Sequence, residues 1–81
     1  MSREEIKETI EKILIDHEFV YPEDEVHENH SYFDDYGMDS VDFLEFIWYI
    51  ESKYGISIPD YAAERMDTVA RTIDYLHLEL N

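Results

Sequence analysis

Ser40 is the side chain whose neighbours suggest chemistry. It lies in Gly37-Met38-Asp39-Ser40-Val41-Asp42, where a glycine-marked loop gives way to a long apolar stretch. A hydroxyl in that setting can be a nucleophile or an anchor. A nucleophilic serine needs a general base within hydrogen-bond reach and usually an oxyanion hole. The nucleophile elbow also requires glycine two residues after the serine, and Asp42 stands there. An anchor fits better. At a helix N-terminus the first backbone N–H groups lack intrahelical acceptors and the macrodipole is positive, so a phosphate oxygen is favoured. Asp34, Asp35, Asp39 and Asp42 would repel a freely diffusing phosphate, which argues for covalent attachment over reversible binding. A plainer reading is an ordinary cap, with Asp39 as N-cap and Asp42 as its capping-box partner.

The elements that must position Ser40 read as helices. Ser2-Arg3-Glu4-Glu5 has the form of a capping box, and Ile6, Ile10, Ile13 and Leu14 follow at helical spacing to about His17. From Glu18 to Met38 no period survives; Pro22, several acids, Asn29 and Gly37 mark a long connection pinned by Phe19, Val26, Tyr32 and Phe33. This segment is expected as a crossing loop, not a strand pair. A second helix runs from about Ser40 to Tyr54 and stops at Gly55, a natural C-terminal cap. Pro59 bars continuation, and Asp60 is expected to cap a short third helix through Arg65. Asp67 or Thr68 caps a last helix carrying Val69, Ile73, Leu76 and Leu80. The expected fold is all-α: one domain over residues 1–81, a small antiparallel four-helix bundle with a short third helix and a long loop between the first two.

The second helix is too apolar for one buried face. Phe43, Phe46, Ile47, Ile50 and Tyr54 follow the pattern of a core-facing surface, and Val41, Leu44 and Trp48 make a separate stripe. Either the first helix or the long loop covers that stripe, or a partner does. In the second case Asp39, Asp42, Glu45 and Glu51 ring a docking patch beside Ser40 and supply steering and register.

Composition narrows the function classes. Twenty-one acidic residues against six basic ones give a formal charge of −15. Such a surface repels nucleic acid and anionic membranes and points to basic protein partners. The absence of cysteine excludes disulfides, thiol chemistry and zinc–thiolate sites, so any working thiol must come from a cofactor. An EF-hand beginning at Asp34 fails, because Tyr36 and Met38 replace oxygen ligands and Asp39 replaces the turn glycine. His17, His27, His30 and His77 lack a metal-ligand spacing and are read as surface or loop histidines. Neither a signal peptide nor an apolar run of about 18 residues is present, so a cytoplasmic chain without stable membrane insertion is expected.

Read with its flanks Ser31-Tyr32-Phe33-Asp34-Asp35-Tyr36 and Phe43-Leu44-Glu45-Phe46-Ile47, the Ser40 segment resembles the 4′-phosphopantetheine attachment site of acyl carrier proteins. The resemblance continues through Gly55-Ile56-Ser57-Ile58-Pro59-Asp60 and Arg65-Met66-Asp67-Thr68-Val69, covering roughly residues 2–78. It implies a monomeric, non-catalytic carrier with phosphopantetheine, derived from coenzyme A, on Ser40 and acyl intermediates bound as thioesters. It also implies an acyl pocket near Phe43, Phe46, Ile47, Ile50, Ile58, Ala63, Met66 and Tyr75, and a recognition role for the helix after the serine. The implied partners are a phosphopantetheinyl transferase and acyl-transferring, acyl-ligating and condensing enzymes with basic docking patches. Val41 and Tyr36 stand where the family usually has leucine. Phe43 stands where many fatty-acid carriers have a small or polar residue, which argues against ordinary fatty-chain sequestration. The settings implied are fatty acid synthesis or a specialised polyketide, peptide, lipid or D-alanyl pathway. An unmodified acidic helical adaptor that docks basic partners through Val41, Leu44 and Trp48 is the alternative.

Overall fold

A computed structural model describes residues 1–81 and contains four helices: α1 (Arg3–Asp16), α2 (Ser40–Tyr54), α3 (Asp60–Ala63) and α4 (Val69–Glu79). They form an all-α bundle in which α1 packs against both α2 and α4. The start of α1 is a full capping box: the Ser2 hydroxyl accepts from the Glu5 N–H, and the Glu5 carboxylate accepts from the Ser2 N–H. That backbone donor holds the Glu5 carboxyl below its ordinary range. At the other end Glu18 adopts a left-handed φ of 61°. The Phe19 and Glu18 N–H groups then close back onto the carbonyls of Leu14 and Ile15, a Schellman turn built without glycine. Gly55, with φ 65°, does the equivalent work for α2, its N–H reaching the Glu51 carbonyl at 2.8 Å.

The start of α3 corrects one expectation, and the start of α4 decides another. Pro59, not Asp60, occupies the N-cap of α3, and no side chain caps it. Pro59 sits in extended geometry and its carbonyl receives the N–H groups of Ala62 and Ala63, so Asp60 becomes the first helical residue. The helix ends at Ala63 instead of Arg65, because i to i+3 bonds from Arg65 to Ala62 and from Met66 to Ala63 tighten the chain and turn Met66 into the core. At α4, Thr68 is the cap, its hydroxyl accepting from the Arg71 N–H at 3.2 Å.

The connection between α1 and α2 folds down on the start of α4. The carbonyls of His30 and Glu28 accept from Val69 and Ala70, Tyr32 N–H donates to the Asp67 carbonyl, and Ser31 and Thr68 form an isolated antiparallel bridge. Tyr32 is completely buried, and its hydroxyl lies 2.7 Å from Thr72 Oγ1, 40 residues along the chain. Thr72 in turn donates to the Thr68 carbonyl at 3.0 Å. Every buried polar atom in this chain of contacts has a partner, as a dry interior requires. Of the four residues expected to pin the loop, Tyr32 is buried and Phe19 and Val26 are half-buried. Phe33 departs from that expectation. It is 40% exposed and lies over Phe43 at the surface, with ring centroids 5.0 Å apart.

Candidate functional site

The site grows from how α2 begins. Asp39 is the N-cap: its carboxylate accepts from the Asp42 N–H at 2.8 Å, while the Asp42 carboxylate accepts from the Asp39 N–H at 3.2 Å. Because these two acids cap the helix reciprocally, Ser40 is released from that work and becomes the first helical residue. Its side chain is exposed, and its hydroxyl has no hydrogen-bond partner within the protein. The backbone N–H groups of Ser40 and Val41 are likewise without acceptors. Two free amides at the positive end of a fifteen-residue helix fit a phosphodiester oxygen on the adjacent hydroxyl.

Met38 fixes the approach from below. It is buried, and its N–H donates to the Tyr32 carbonyl, so the loop reaches Asp39 from a point tied to the core. Gly37 takes a left-handed φ of 67° immediately before it, a conformation costly for other residues. Ser31 accepts from the N–H groups of Phe33 and Asp34, and Asp35 accepts from the Ser31 N–H, which holds the acidic turn upstream of Ser40 in shape. Tyr36 ties the upstream loop to the same turn. Its hydroxyl accepts from the His27 N–H and lies 3.1 Å from His30 Nδ1, and burial holds the phenol above its ordinary range. His27 and His30 meet edge to face, and no group of three or more potential ligands around them or elsewhere is arranged for a metal.

The two faces of α2 separate cleanly. Phe43, Phe46, Ile47 and Ile50 are buried, with Tyr54 half-buried at the end of the same face. Val41, Leu44 and Trp48 are 61%, 64% and 67% exposed, covered by neither α1 nor the long loop. They form one bank of an open groove of about 400 Å³ between α2 and α3, shared with Glu45, Ile58, Asp60 and Ala63. Glu45 is exposed beside them, whereas Glu51 is half-buried and accepts from the Ile58 N–H at 2.7 Å. Glu51 therefore braces the α2–α3 connection as well as bordering the groove.

Of the residues that family resemblance assigns to an acyl pocket, Phe43, Phe46, Ile47, Ile50, Ile58, Ala63 and Met66 belong to one buried cluster, and Tyr75 packs half-buried against it. Burial raises the Tyr75 phenol above its ordinary range, with Glu79 adding to the shift. Sequence reasoning read Phe33 as a loop anchor, not as a cover over Phe43, and gave Met38 and Thr72 no structural role. Each acts through a partner distant in sequence or in a segment without a period, so no local pattern marks it.

The model for the phosphopantetheine attachment site matches residues 4–76. The acyl carrier protein of Zymomonas mobilis subsp. mobilis is 41% identical over 69 residues, covering 85% of this chain and 87% of its own. That of Lactobacillus acidophilus is 37% identical over 76 residues, covering 94% of each. With a match across nearly all its length and a helix start shaped for a phosphodiester, this chain belongs to the acyl carrier protein family, whose prosthetic group is 4′-phosphopantetheine.

Proposed function

We propose that Ser40 is the attachment residue and that the chain, one domain over residues 1–81, carries acyl intermediates as thioesters in the cytoplasm. The observation that carries this reading is the uncommitted Ser40 hydroxyl beside the free amides of Ser40 and Val41, within the matched span. When bound, the prosthetic group supplies the thiol that a chain without cysteine lacks. The protein's own residues supply position and recognition. Asp39 and Asp42 hold the helix start so that the serine faces solvent, within reach of a phosphopantetheinyl transferase. No side chain hydrogen-bonds to the Ser40 hydroxyl, and the carboxylates beside it are engaged in the capping box, so its proton is left for the transferase to take.

Partner enzymes dock on the stripe of Val41, Leu44 and Trp48, steered by Asp39, Asp42, Glu45 and Glu51 toward basic patches. The −15 formal charge speeds encounter with such surfaces, an effect that salt screens. Phosphopantetheinyl transferases, acyl-transferring and acyl-ligating enzymes and condensing enzymes are the partner classes this surface suits. No helix is long and apolar enough to cross a membrane.

Coexpression with a broad-range phosphopantetheinyl transferase, followed by intact-mass measurement, tests the reading. One added phosphopantetheine is expected. An unmodified chain would turn the reading toward the acidic adaptor.

A further inference from the structure

We infer that Phe43, backed by Tyr32, closes the helical interior to the thioester-bound group, so that the cargo is a short or polar acyl chain kept outside the core. The inference rests on the carrier reading of Ser40 and concerns the class of cargo. Phe43 lies three residues along α2 from Ser40 and is buried except for an 8% edge at the surface. Its ring meets Phe33 at 5.0 Å, Tyr32 at 5.9 Å and Phe46 at 6.4 Å between centroids. Behind it Tyr32 lies 4.6 Å from Phe46, and Phe19 meets Phe46 edge-on at 6.0 Å. These spacings fall within the range of direct aromatic contact, so the space directly behind Phe43 is packed by rings.

Rings yield differently from aliphatic chains. A leucine or methionine can change rotamer to open a slot, whereas a ring in a packed core must move as a plate. Tyr32 has less freedom still, because its hydroxyl is fastened to Thr72 Oγ1 at 2.7 Å in a fully buried setting. Swinging it aside would leave its own buried hydroxyl without the one partner it has. In the same buried cluster Ile47, Ile50, Val69 and Ile73 are β-branched and stiff at the first side-chain torsion, which leaves Met38 and Met66 as its most adaptable members. A long alkyl chain entering beside Ser40 would therefore meet Phe43 first and the fastened Tyr32 next. A short or polar group gains nothing from such an interior.

The test uses the full chain loaded at Ser40 from acetyl- or decanoyl-coenzyme A, with intact mass read first. Failure to load either arm overturns the carrier reading itself and this inference with it. In loaded wild type, hydroxylamine should cleave both thioesters at rates within about twofold, since neither is sheltered by local closure. The methyl resonances of Ile47, Ile50 and Met66 should coincide in the two forms. Phe43→Ala, which removes the ring at the mouth, should protect its decanoyl thioester by about tenfold over its acetyl one, equivalent to about 1.4 kcal/mol. A protected decanoyl thioester or shifted core methyls in wild type would overturn the inference, and those measurements stand even if the variant folds poorly. Equal cleavage in a folded Phe43→Ala would remove Phe43 as the determinant.

Discussion

Two helix N-termini in this molecule receive opposite treatment. At α4 every first-turn amide is satisfied: Val69 by the His30 carbonyl, Ala70 by the Glu28 carbonyl, Arg71 by the Thr68 hydroxyl and Thr72 by the Thr68 carbonyl. At α2 the Asp39 side chain serves Asp42, and the amides of Ser40 and Val41 face outward without partners. Both ends carry the positive pole of a helix dipole. What separates them is whether a loop lies across the end, and the loop that closes α4 is the one that leads to Asp39. The same segment thus seals one helix start and presents the other. A helix start is a joint when chain covers it and a site when a modifiable side chain stands on it uncovered.

The largest expected effect comes from breaking the closed end. Tyr32→Ala removes the pin between the loop and α4 and should destabilise the protein by about 3 to 5 kcal/mol in denaturant melts. A loss below about 1 kcal/mol would mean that the loop closes α4 without it.

The same residue predicts a response to alkali. Burial holds the Tyr32 phenol well above its ordinary range, and burial acts in the same direction on Tyr36 and Tyr75. A raised folded pKa contributes stability that is complete below the unfolded value, near 10, and is lost as pH rises through the folded one. Stability should fall between about pH 9 and pH 12, and the fall should be shallower in Tyr32→Phe. Parallel profiles for the two proteins would place the alkaline sensitivity elsewhere.

Breaking the open end should cost less. Asp39→Ala removes the α2 cap and should lower stability by about 1 kcal/mol while slowing phosphopantetheine loading, because the helix start that presents Ser40 frays. Unchanged loading at reduced stability would separate the cap from the function. Smallest of all is the effect of Trp48→Ala on folding. An exposed residue of the outer stripe should change stability by no more than about 0.5 kcal/mol, yet weaken transfer to partner enzymes. A loss comparable with a core truncation would return Trp48 to the interior.

Much of this contrast was legible in the sequence, for a definable reason. The capping boxes at Ser2 and Asp39, the stop at Gly55 and the two stripes of α2 are local patterns whose partners lie within a turn or two. The placement of Ser40 at the loop-to-helix junction was legible in the same way. The closure of α4 was not, because it depends on His30, Glu28 and Tyr32 meeting residues far along the chain. Glu51 read as a surface acid, and only the folded α2–α3 connection reveals its bond to the Ile58 N–H. At Pro59-Asp60 the expected cap, Asp60, fell one residue late, and Pro59 holds that position. No local pattern marks the backbone bonds from Ala62 and Ala63 to the Pro59 carbonyl that set that start.

The central claim is that the open end of α2 is the attachment site and that Ser40 alone bears the group. Intact mass and circular dichroism of wild type and Ser40→Ala, each coexpressed with the same broad-range transferase, test it most directly. The account predicts one phosphopantetheine on wild type, none on Ser40→Ala, and matching helical spectra for the two. A folded Ser40→Ala that still gains the prosthetic group would contradict it.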